Sequence, residues 1–441
     1  MLTKQYLEIS PAKLRPNPAN VRAHSKPQIA ELTSAIRQFG FINPVVVDQD
    51  YWVLAGHARL QAAKQVGLRC VPVIVVSGLS EAKRRAFVLF DNKISEKAGW
   101  DRAALAQELN DLSSLLSEEG LDIGLTGFET PEIDRLMGDL IDPEHDPAED
   151  FPRAQASQEA VSQRGDLWSL DRHRILCGDA TQETSFRTLM RRDCASMVFT
   201  DPPYNLPVAS VQGRGKIRHR DFVQGSGELS PRAFTSFLRE SLSLAAKSSV
   251  LGSLHFVFMD WRHTREILAA GDDVYNELLN LVVWTKTNGG MGSLYRSSHE
   301  LVFVFKYGSV PHLNNVELGR HGRNRSNVWT YPGVNTFRAG RLDDLAVHPT
   351  VKPVALVADA MRDCSRRGDI VLDPFLGSGT TILAAERVGR RGYGMEIDPF
   401  YTDVAIRRWQ SFTRKDAVLR ATGKTFTEVA EARLRGGEHD R

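Results

Sequence analysis

Hydrophobic spacing in the first quarter of the chain predicts a small α+β domain. Apolar residues recur at helical spacing over residues 29–39, and Gly40 follows as the expected helix end. Three short apolar runs predict strands, at residues 44–47, 51–54 and 71–76. The first two are joined by a predicted hairpin turn. We expect this domain to span residues 1–95.

Two further stripes at helical spacing, over residues 103–116 and 132–140, predict a helical extension across residues 96–141. We expect these helices to pack on the first domain. The periodicity is then lost over residues 142–159, which hold six acidic residues, one arginine and three prolines. This composition predicts a solvated linker at residues 142–164.

From residue 165 onward, short apolar runs alternate with a helical stripe, which is typical of an α/β sheet. The helical stripe covers residues 382–388. We expect an α/β domain over residues 165–415, followed by a tail at 416–441. The predicted strands are residues 166–170, 173–177, 195–199, 369–373 and 391–398.

Composition narrows the class of protein. A length of 441 residues suggests two or three domains, and a net charge of +2 means that any basic surface is local. The cysteines are far apart in sequence, which argues against a zinc site or a disulfide framework and suits a reducing cytoplasm. They are Cys70, Cys177, Cys194 and Cys364. The first residues lack a signal peptide's apolar segment, and no apolar run approaches 18 residues, so we expect no membrane contact.

An unusual corner follows the strand at residues 195–199. Its residues are Asp201, Pro202, Pro203 and Tyr204. Two consecutive prolines end the strand and leave backbone carbonyls free to accept hydrogen bonds. Ligands of open α/β sheets bind outside the carboxyl ends of the strands. A carboxylate, free carbonyls and an aromatic face at this position suit a planar ring that bears an amino group.

A second constellation follows the strand at residues 369–373. The loop at residues 374–381 is rich in glycine, which lets the backbone approach a ligand closely. Glu396 ends the next strand 19 residues after Gly377, the spacing at which a carboxylate takes ribose hydroxyls. The loop lacks the Gly-Lys-Ser/Thr of a P-loop, so a nucleoside without a triphosphate is the expected ligand.

Together these motifs resemble the amino-methyltransferases of DNA, in the permuted β group where the catalytic motif precedes the cofactor loop. The resemblance covers about residues 165–412 and is carried by residues 201–204, 348–353 and 373–381. It implies a Rossmann-like sheet and a bacterial or phage enzyme that uses S-adenosylmethionine. It also implies a target-recognition insert at about residues 205–347. A paired restriction endonuclease and the recognition sequence cannot be read from the chain.

The resemblance also implies roles for individual residues. The loop holds the methionine end of the cofactor, Glu396 takes the ribose hydroxyls, and Asp179 and Ala180 lie beside the adenine. His348 and Lys352 line the pocket. The full expected cofactor set is Asp179, Ala180, His348, Lys352, Asp373, Phe375, Gly377, Ser378, Gly379, Thr380 and Glu396.

The expected chemistry acts on an amine whose lone pair is delocalised into a base. Hydrogen bonds from the amine to Asp201 and to the Pro202 carbonyl would make its nitrogen tetrahedral, and the carboxylate would stabilise the developing positive charge. Tyr204 would stack on the flipped base, for roughly 1–3 kcal/mol. An aspartate in the first position of the motif favours adenine. No cysteine follows a proline, which disfavours methylation at cytosine C5.

Duplex DNA is the expected partner, and two basic stretches are the expected contacts. The first places four cations within seven residues: Arg214, Lys216, Arg218 and Arg220. The second is interleaved with aromatic residues: Arg320, Arg323 and Arg325. A homodimer is an expected assembly that the sequence does not fix.

The first domain has its own candidate site. A glycine before a helix start, followed by histidine and arginine, is a cradle for an anion or phosphate. Over residues 5–95 the segments resemble the ParB/sulfiredoxin-like domain, whose ParB members bind a nucleotide. Gly56, His57 and Arg59 are the candidates here, although only the glycine and the arginine match the ParB pattern. A structural domain without a ligand is the alternative.

Three other functions stay open at this stage. The enzyme could methylate N4 of cytosine. The chain could be a ParB-like nucleotide- and DNA-binding protein whose second half is a scaffold. The chain could also be an RNA or release-factor methyltransferase, because such enzymes carry related Pro-Pro-Tyr motifs. The basic insert and the permuted order favour DNA.

Overall fold

The computed structural model describes residues 3–18, 20–138, 140, 147–149, 159–206, 227–286, 294–320, 322–333 and 351–436. Contacts within it divide the chain into two compact units, Met1–Leu140 and Ile141–Arg441. Among the helices it describes, none is long and apolar enough to cross a membrane. The described residues also contain no cluster of three histidine, cysteine or acidic side chains that could hold a metal ion.

The first unit contains a four-stranded sheet in the order β1-β4-β2-β3. Its strands are β1 (Thr3–Ile9), β2 (Val45–Asp48), β3 (Val53–Ala55) and β4 (Val71–Ser77). β2 and β3 form the antiparallel hairpin that the sequence predicts. The strand β1, which pairs with β4, was not predicted because its residues are mostly exposed and lack an apolar run.

Three helices accompany this sheet, α1 (Lys26–Phe39), α2 (His57–Val66) and α3 (Glu81–Ser95). Two more, α4 (Arg102–Glu118) and α5 (Thr130–Gly138), follow in the predicted extension. The apolar stripes of α4 and α5 share one buried cluster with the turn Ile123–Thr126. These helices therefore bury their stripes largely against each other.

The second unit contains a sheet whose ten described strands run in the order β11-β9-β10-β8-β7-β12-β13-β6-β5-β14. The five strands from β8 to β6 run parallel to one another. β10 is antiparallel to β8 and β9, and β5 is antiparallel to β6. The bounds are β5 (Leu167–Leu170), β6 (His173–Cys177), β7 (Ala195–Thr200), β8 (Ser249–Met259), β9 (Glu277–Thr285), β10 (His299–Lys306), β11 (Val328–Thr330), β12 (Ile370–Asp373), β13 (Arg391–Glu396) and β14 (Val418–Leu419).

Helices cover both faces of this sheet because its strands are apolar on both sides. Along β7, Met197 and Phe199 point into one core cluster and Val198 into another. α6 (Glu183–Met190), α7 (Pro231–Lys247) and α8 (Thr264–Val274) contribute to the clusters of one face. α9 (Val354–Cys364), α10 (Thr380–Arg387) and α11 (Pro399–Thr413) contribute to the other.

The C-terminal tail belongs to this unit. β14 pairs with β5 at the end of the sheet, and the helix α12 (Phe426–Gly436) follows it. The Phe426 ring lies 5.3 Å from the buried ring of Trp168, and Arg433 pairs with Asp166. The sheet domain therefore extends beyond the expected boundary at residue 415.

Part of the expected linker is also packed rather than solvated. Ala148, Val161 and Ser162 are buried. The Asp403 carboxylate accepts hydrogen bonds from the backbone nitrogens of Val161 and Ser162, at 2.6 and 2.9 Å. These contacts fix the chain as it enters the sheet, and composition alone could not show them.

Candidate active site at the carboxyl edge of the sheet

Strand pairing brings the two chemical motifs to one edge of the sheet. β7 pairs in parallel with β12, so Thr200 and Asp373 end neighbouring strands. The Thr200 hydroxyl donates a hydrogen bond of 2.9 Å to the Asp373 carboxylate. Asp201 therefore begins its corner beside the first residue of the glycine-rich loop.

The corner at residues 201–204 is fastened by the residue that follows it. Asn205 is buried and has a φ of +51°, a conformation that asparagine tolerates better than most residues. Its side-chain nitrogen donates to the Leu229 carbonyl, and its oxygen accepts from the backbone nitrogens of Gly227 and Leu229. The corner and the chain at residues 227–229 are thus held together.

Both oxygens of Asp201 have partners. Oδ1 accepts a hydrogen bond of 2.6 Å from the Tyr204 hydroxyl. Oδ2 accepts from Lys352 Nζ at 2.5 Å. Lys352 was expected to line the cofactor pocket, and the structure places its ammonium group on the Asp201 carboxylate. Pro202 is buried and Pro203 is partly exposed.

A second carboxylate, Glu300 on β10, completes this cluster. Its Oε2 lies 3.0 Å from the Tyr204 hydroxyl and 3.1 Å from Lys352 Nζ. Its Oε1 accepts from Lys286 Nζ at 2.5 Å. Two carboxylates and two ammonium groups therefore meet at the sheet edge. The aromatic rings of Phe258 and Trp284 lie 4.9 and 5.9 Å from Lys352 Nζ.

The charges in this cluster determine one another's ionisation. Burial opposes the charge on Glu300, but Lys352 and Lys286 outweigh it and lower the pKa of Glu300 to about 2. Burial would lower the pKa of Lys352, but Asp201 and Glu300 outweigh it and raise that pKa. Burial raises the pKa of Asp201, which Lys352 opposes and the charge on Glu300 reinforces. Burial and both carboxylates also raise the pKa of Tyr204.

Sequence reasoning missed Glu300 and gave no role to Lys286. Glu300 lies in the run His299–Lys306, where five apolar residues follow it. A single acid at the start of such a strand is a weak signal of an active-site residue. Its partners follow β7, follow β9 and precede α9, so most of them are distant from it in sequence. Only the order of the strands brings these residues together.

Asp373 organises the glycine-rich loop from a buried position. One oxygen accepts from Thr200 Oγ1 and from the Phe375 backbone nitrogen, and the other accepts from Thr381 Oγ1 at 2.6 Å. Burial raises the pKa of Asp373 to about 6 despite these donors. Its contacts bind the loop to both neighbouring elements, so its role is to shape the loop.

Glu396 ends β13 with its carboxylate beside the same loop. Oε2 accepts from the Gly377 backbone nitrogen and Oε1 from the Asp398 backbone nitrogen, each at 2.8 Å. Burial raises its pKa to about 7. Each oxygen accepts one of these bonds and has a second lone pair for a further donor. This arrangement suits a ligand that presents two hydroxyl groups.

Glycine is required where the loop enters α10. Gly379 has a φ of +89°, and a Cβ atom there would lie 2.7 Å from Ala405 Cβ. Ser378 and Thr380 on either side are buried, and Arg408 Nη1 contacts the side-chain oxygens of both. The hydroxyls of Ser378 and Thr380 are therefore turned toward α11.

The segment that was expected beside the cofactor adenine lies at the end of β6. The backbone nitrogen of Gly178 donates to the Glu396 carbonyl at 2.8 Å. Asp179 Oδ1 accepts from the backbone nitrogen and the hydroxyl of Thr181, and Ala180 is buried. Asp179 thus lies next to the strand that carries Glu396. The remaining expected cofactor residue, His348, lies outside the described residues.

Two arginines predicted to bind DNA are engaged inside the protein. Arg323 and Arg325 have side chains only 12% and 19% exposed, and both pair with Asp363 on α9. Asp359 also pairs with both, at 3.5 and 3.6 Å. These contacts fasten the segment to α9, and binding to phosphate stays a prediction for the two arginines.

The other members of the DNA-binding set differ in position. Arg320 is exposed and pairs with Glu317 three residues earlier. The first basic stretch lies outside the part of the chain that the structure describes; its residues are Arg214, Lys216, Arg218 and Arg220.

The candidate site of the first unit lies around the start of α2. Gly56 has a φ of +97° and precedes the helix. His57 Nε2 accepts a hydrogen bond of 3.3 Å from the Asn17 backbone nitrogen, and burial lowers the pKa of His57. Arg59 Nη2 donates to the Pro44 carbonyl at 3.3 Å. The three predicted residues lie together at this helix start.

Comparison with family models gives three matches. A model described as DNA methylase matches residues 195–407. A ParB N-terminal domain matches residues 2–93. A ParB-methyltransferase HTH domain matches residues 103–164, across the helices α4 and α5 and the expected linker. The last match groups these segments as one domain. From the sequence we expected a helical extension followed by a linker.

Known proteins are similar to part of this chain. Type II methyltransferase M.HpaI of Haemophilus parainfluenzae is 26% identical over 252 residues, covering 54% of this chain and 74% of its own. Type II methyltransferase M2.DpnII of Streptococcus pneumoniae is 26% identical over 242 residues, covering 51% and 86%. The crystal structure of an M1.HpyAVI–SAM complex is 19% identical, covers 53% of this chain and 97% of its own, and has a TM-score of 0.40.

The buried position of Asp373 can be tested by measuring how the unfolding free energy depends on pH. Its pKa is raised from 3.8 to about 6, so folding favours its protonated form. This contribution to stability is fully present below pH 3.8 and is lost as the pH rises through 6. Compared with Asp373→Asn, we expect the wild type to lose about 2–3 kcal/mol of unfolding free energy between pH 4 and pH 7.

Urea unfolding of both proteins across this pH range measures the difference. The exposed control Asp272→Asn should track the wild type at every pH. A difference between wild type and Asp373→Asn that stays constant with pH would contradict the assignment.

Proposed function

We propose that this chain, which belongs to the DNA methylase family and carries a ParB N-terminal domain, methylates the exocyclic amine of adenine. The proposed methyl donor is S-adenosylmethionine, and the proposed substrate is a base flipped out of duplex DNA. The observation that carries the proposal is the pairing of β7 with β12. It sets Asp201 beside the glycine-rich loop, joined through Thr200 and Asp373.

The residues of the loop fit such a donor. Gly377 and Gly379 both have positive φ, so the backbone can turn closely around a ligand. The Glu396 carboxylate has lone pairs for two ribose hydroxyls, and Phe375 is partly buried against Phe237 with an aromatic face. When bound, S-adenosylmethionine supplies an electrophilic methyl group on a positively charged sulfur.

The corner residues act on the nucleophile. Asp201 and the Pro202 carbonyl would accept the two N–H groups of the amine and make its nitrogen tetrahedral. The fixed carboxylate then stabilises the positive charge that develops on this nitrogen. Flipping the base costs a few kcal/mol, which stacking on Tyr204 would offset in part. We propose that phosphate contacts supply the rest, with Arg320 and the stretch Arg214, Lys216, Arg218 and Arg220 as the candidates.

Adenine is favoured over cytosine by Asp201 in the first position of the motif, and methylation at N4 of cytosine is the second candidate. The product distinguishes the two. A homodimer is the proposed assembly. It is supported by exposed apolar side chains on β9 and on β11, which lies at one end of the described strand order: Leu278, Leu281 and Val328. Sedimentation of the full chain as a monomer at micromolar concentration would contradict it.

Replacing the catalytic carboxylate should abolish transfer without abolishing cofactor binding. For Asp201→Ala we expect methyl incorporation into unmethylated duplex DNA to fall by about 10²–10³-fold, the usual effect of removing one group that stabilises developing charge. Binding of S-adenosylmethionine, measured by calorimetry, should change little, because Glu396 and the loop are untouched.

The exposed Asp272→Ala is the matched control and should retain full incorporation. Nucleoside analysis of the wild-type product should give N6-methyladenine. N4-methylcytosine would refute the choice of adenine alone, whereas an inactive wild type with every DNA tested would refute the proposed reaction.

For the first unit we propose a nucleotide ligand at the start of α2. Its support is the match to a ParB N-terminal domain and the cluster of Gly56, His57 and Arg59. Backbone N–H groups at a helix start favour phosphate, and Arg59 adds a positive charge. The alternative is a structural domain that binds nothing.

Nucleotide binding is tested by equilibrium dialysis of the full chain against each of the four ribonucleoside triphosphates. At least one should bind, and Arg59→Ala should weaken it by 10-fold or more because a charge-assisted contact to phosphate is lost. Arg37→Ala, exposed at the end of α1, should bind like the wild type. No binding to the wild type would support the structural alternative.

A further inference from the structure

Each oxygen of the Asp201 carboxylate already accepts one hydrogen bond from the protein itself. Asp201 Oδ1 receives the Tyr204 hydroxyl at 2.6 Å, and Oδ2 receives Lys352 Nζ. The proposed reaction requires Asp201 to accept an N–H from the target amine. The amine would then share the carboxylate with two donors of the protein, one of them a charged ammonium group, and this competition weakens its own hydrogen bond to Asp201.

A second acceptor lies within reach of both donors. The same Tyr204 hydroxyl is 3.0 Å from Glu300 Oε2, and Lys352 Nζ is 3.1 Å from that oxygen. A hydroxyl has one proton to donate, so Tyr204 can satisfy Asp201 or Glu300 fully, but only one at a time. An ammonium group has three, so Lys352 can bond to both carboxylates together.

We propose that Glu300 is a positioning residue that takes over Tyr204 and Lys352 when the target amine binds to Asp201. This inference rests on the proposed function. The exchange needs a rotation of the Tyr204 hydroxyl proton rather than a movement of the backbone. Asp201 Oδ1 then accepts from the amine without competition from Tyr204, while Tyr204 keeps a partner and Lys352 keeps its place.

Glu300 is held in position by a rigid support. It lies in β10, opposite Trp284 of β9, and β10 is paired on both sides. Lys286, which follows β9, binds its other oxygen and lies 4.9 Å above the Trp284 ring. Lys286 thus keeps Oε2 turned toward Tyr204 and Lys352, and it balances the second negative charge.

The charges around Asp201 determine the direction in which each substitution should shift its pKa. Among the described residues, the groups that act on the Asp201 carboxylate are Lys352, Glu300, Tyr204 and Asp373. Glu300 repels the charge on Asp201 and raises its pKa, whereas Lys352 lowers it. Removing the charge of Glu300 should lower the pKa of Asp201, and removing that of Lys352 should raise it.

The decisive variant is Glu300→Gln, which keeps the size of the side chain. We expect kcat to fall at least 10-fold, because Tyr204 and Lys352 then have only Asp201 as a charged acceptor and compete with the amine. KM for DNA and for S-adenosylmethionine should stay within twofold. The acid limb of the kcat profile should move to lower pH, whereas Lys352→Met should move it to higher pH.

Two further variants separate positioning from a general loss of structure. Glu300→Asp retains the charge at a shorter reach, so it should restore the position of the acid limb but only part of the rate. Glu277→Gln, at the exposed start of β9, is the matched control and should behave like the wild type. If Glu300→Gln does not fold by circular dichroism, Lys286→Met replaces it, and kcat should again fall at least 10-fold at constant KM.

The outcomes distinguish this inference from the proposed function. An active wild type with an unshifted acid limb in Glu300→Gln, or with a loss that appears in KM for DNA, would overturn the role of Glu300 alone. For Lys286→Met, an unchanged kcat would do the same. A wild type without methyl transfer would instead refute the proposed function.

Discussion

The parallel pairing of β7 with β12 is the constraint on which the rest of the site depends. The two motifs are separated by more than 160 residues of sequence, yet neighbouring parallel strands end at the same edge of a sheet. The bond from Thr200 to Asp373 fixes this alignment at the last residue of each strand. A slip of one residue would turn every side chain of β7 to the other face and separate Asp201 from the loop.

The cluster at this edge shows why buried charges come in balanced groups. An isolated buried carboxylate is costly, and removing one partner of a buried pair typically costs 3–5 kcal/mol. Here Asp201 and Glu300 share Lys352, and Lys286 supplies the second positive charge. In the proposed reaction, such a cluster would keep a fixed negative charge beside the positive charge that develops on the amine. Solvent would have to reorganise to achieve the same effect.

Much of the fold and the core of the site could be predicted from the sequence. Asp201, Asp373 and Glu396 were recognisable because each ends an apolar run and belongs to a motif with local spacing. Lys286 and Glu300 have no such motif, because their roles come from strand order within the region between the motifs. Arg323 and Arg325 were assigned to DNA because they are basic and interleaved with aromatic residues, and their partners on α9 lie more than 30 residues away in sequence.

The tether made by Asn205 has a consequence for how such a protein could diversify. By bonding to Gly227 and Leu229, Asn205 brings together the two ends of a 20-residue stretch at residues 207–226. The entropy cost of closing a loop rises only slowly with its length. The number of residues between Asn205 and Gly227 could thus change over evolution at little cost in closure entropy, while the bonds of Asn205 keep the corner at residues 201–204 joined to residues 227–229.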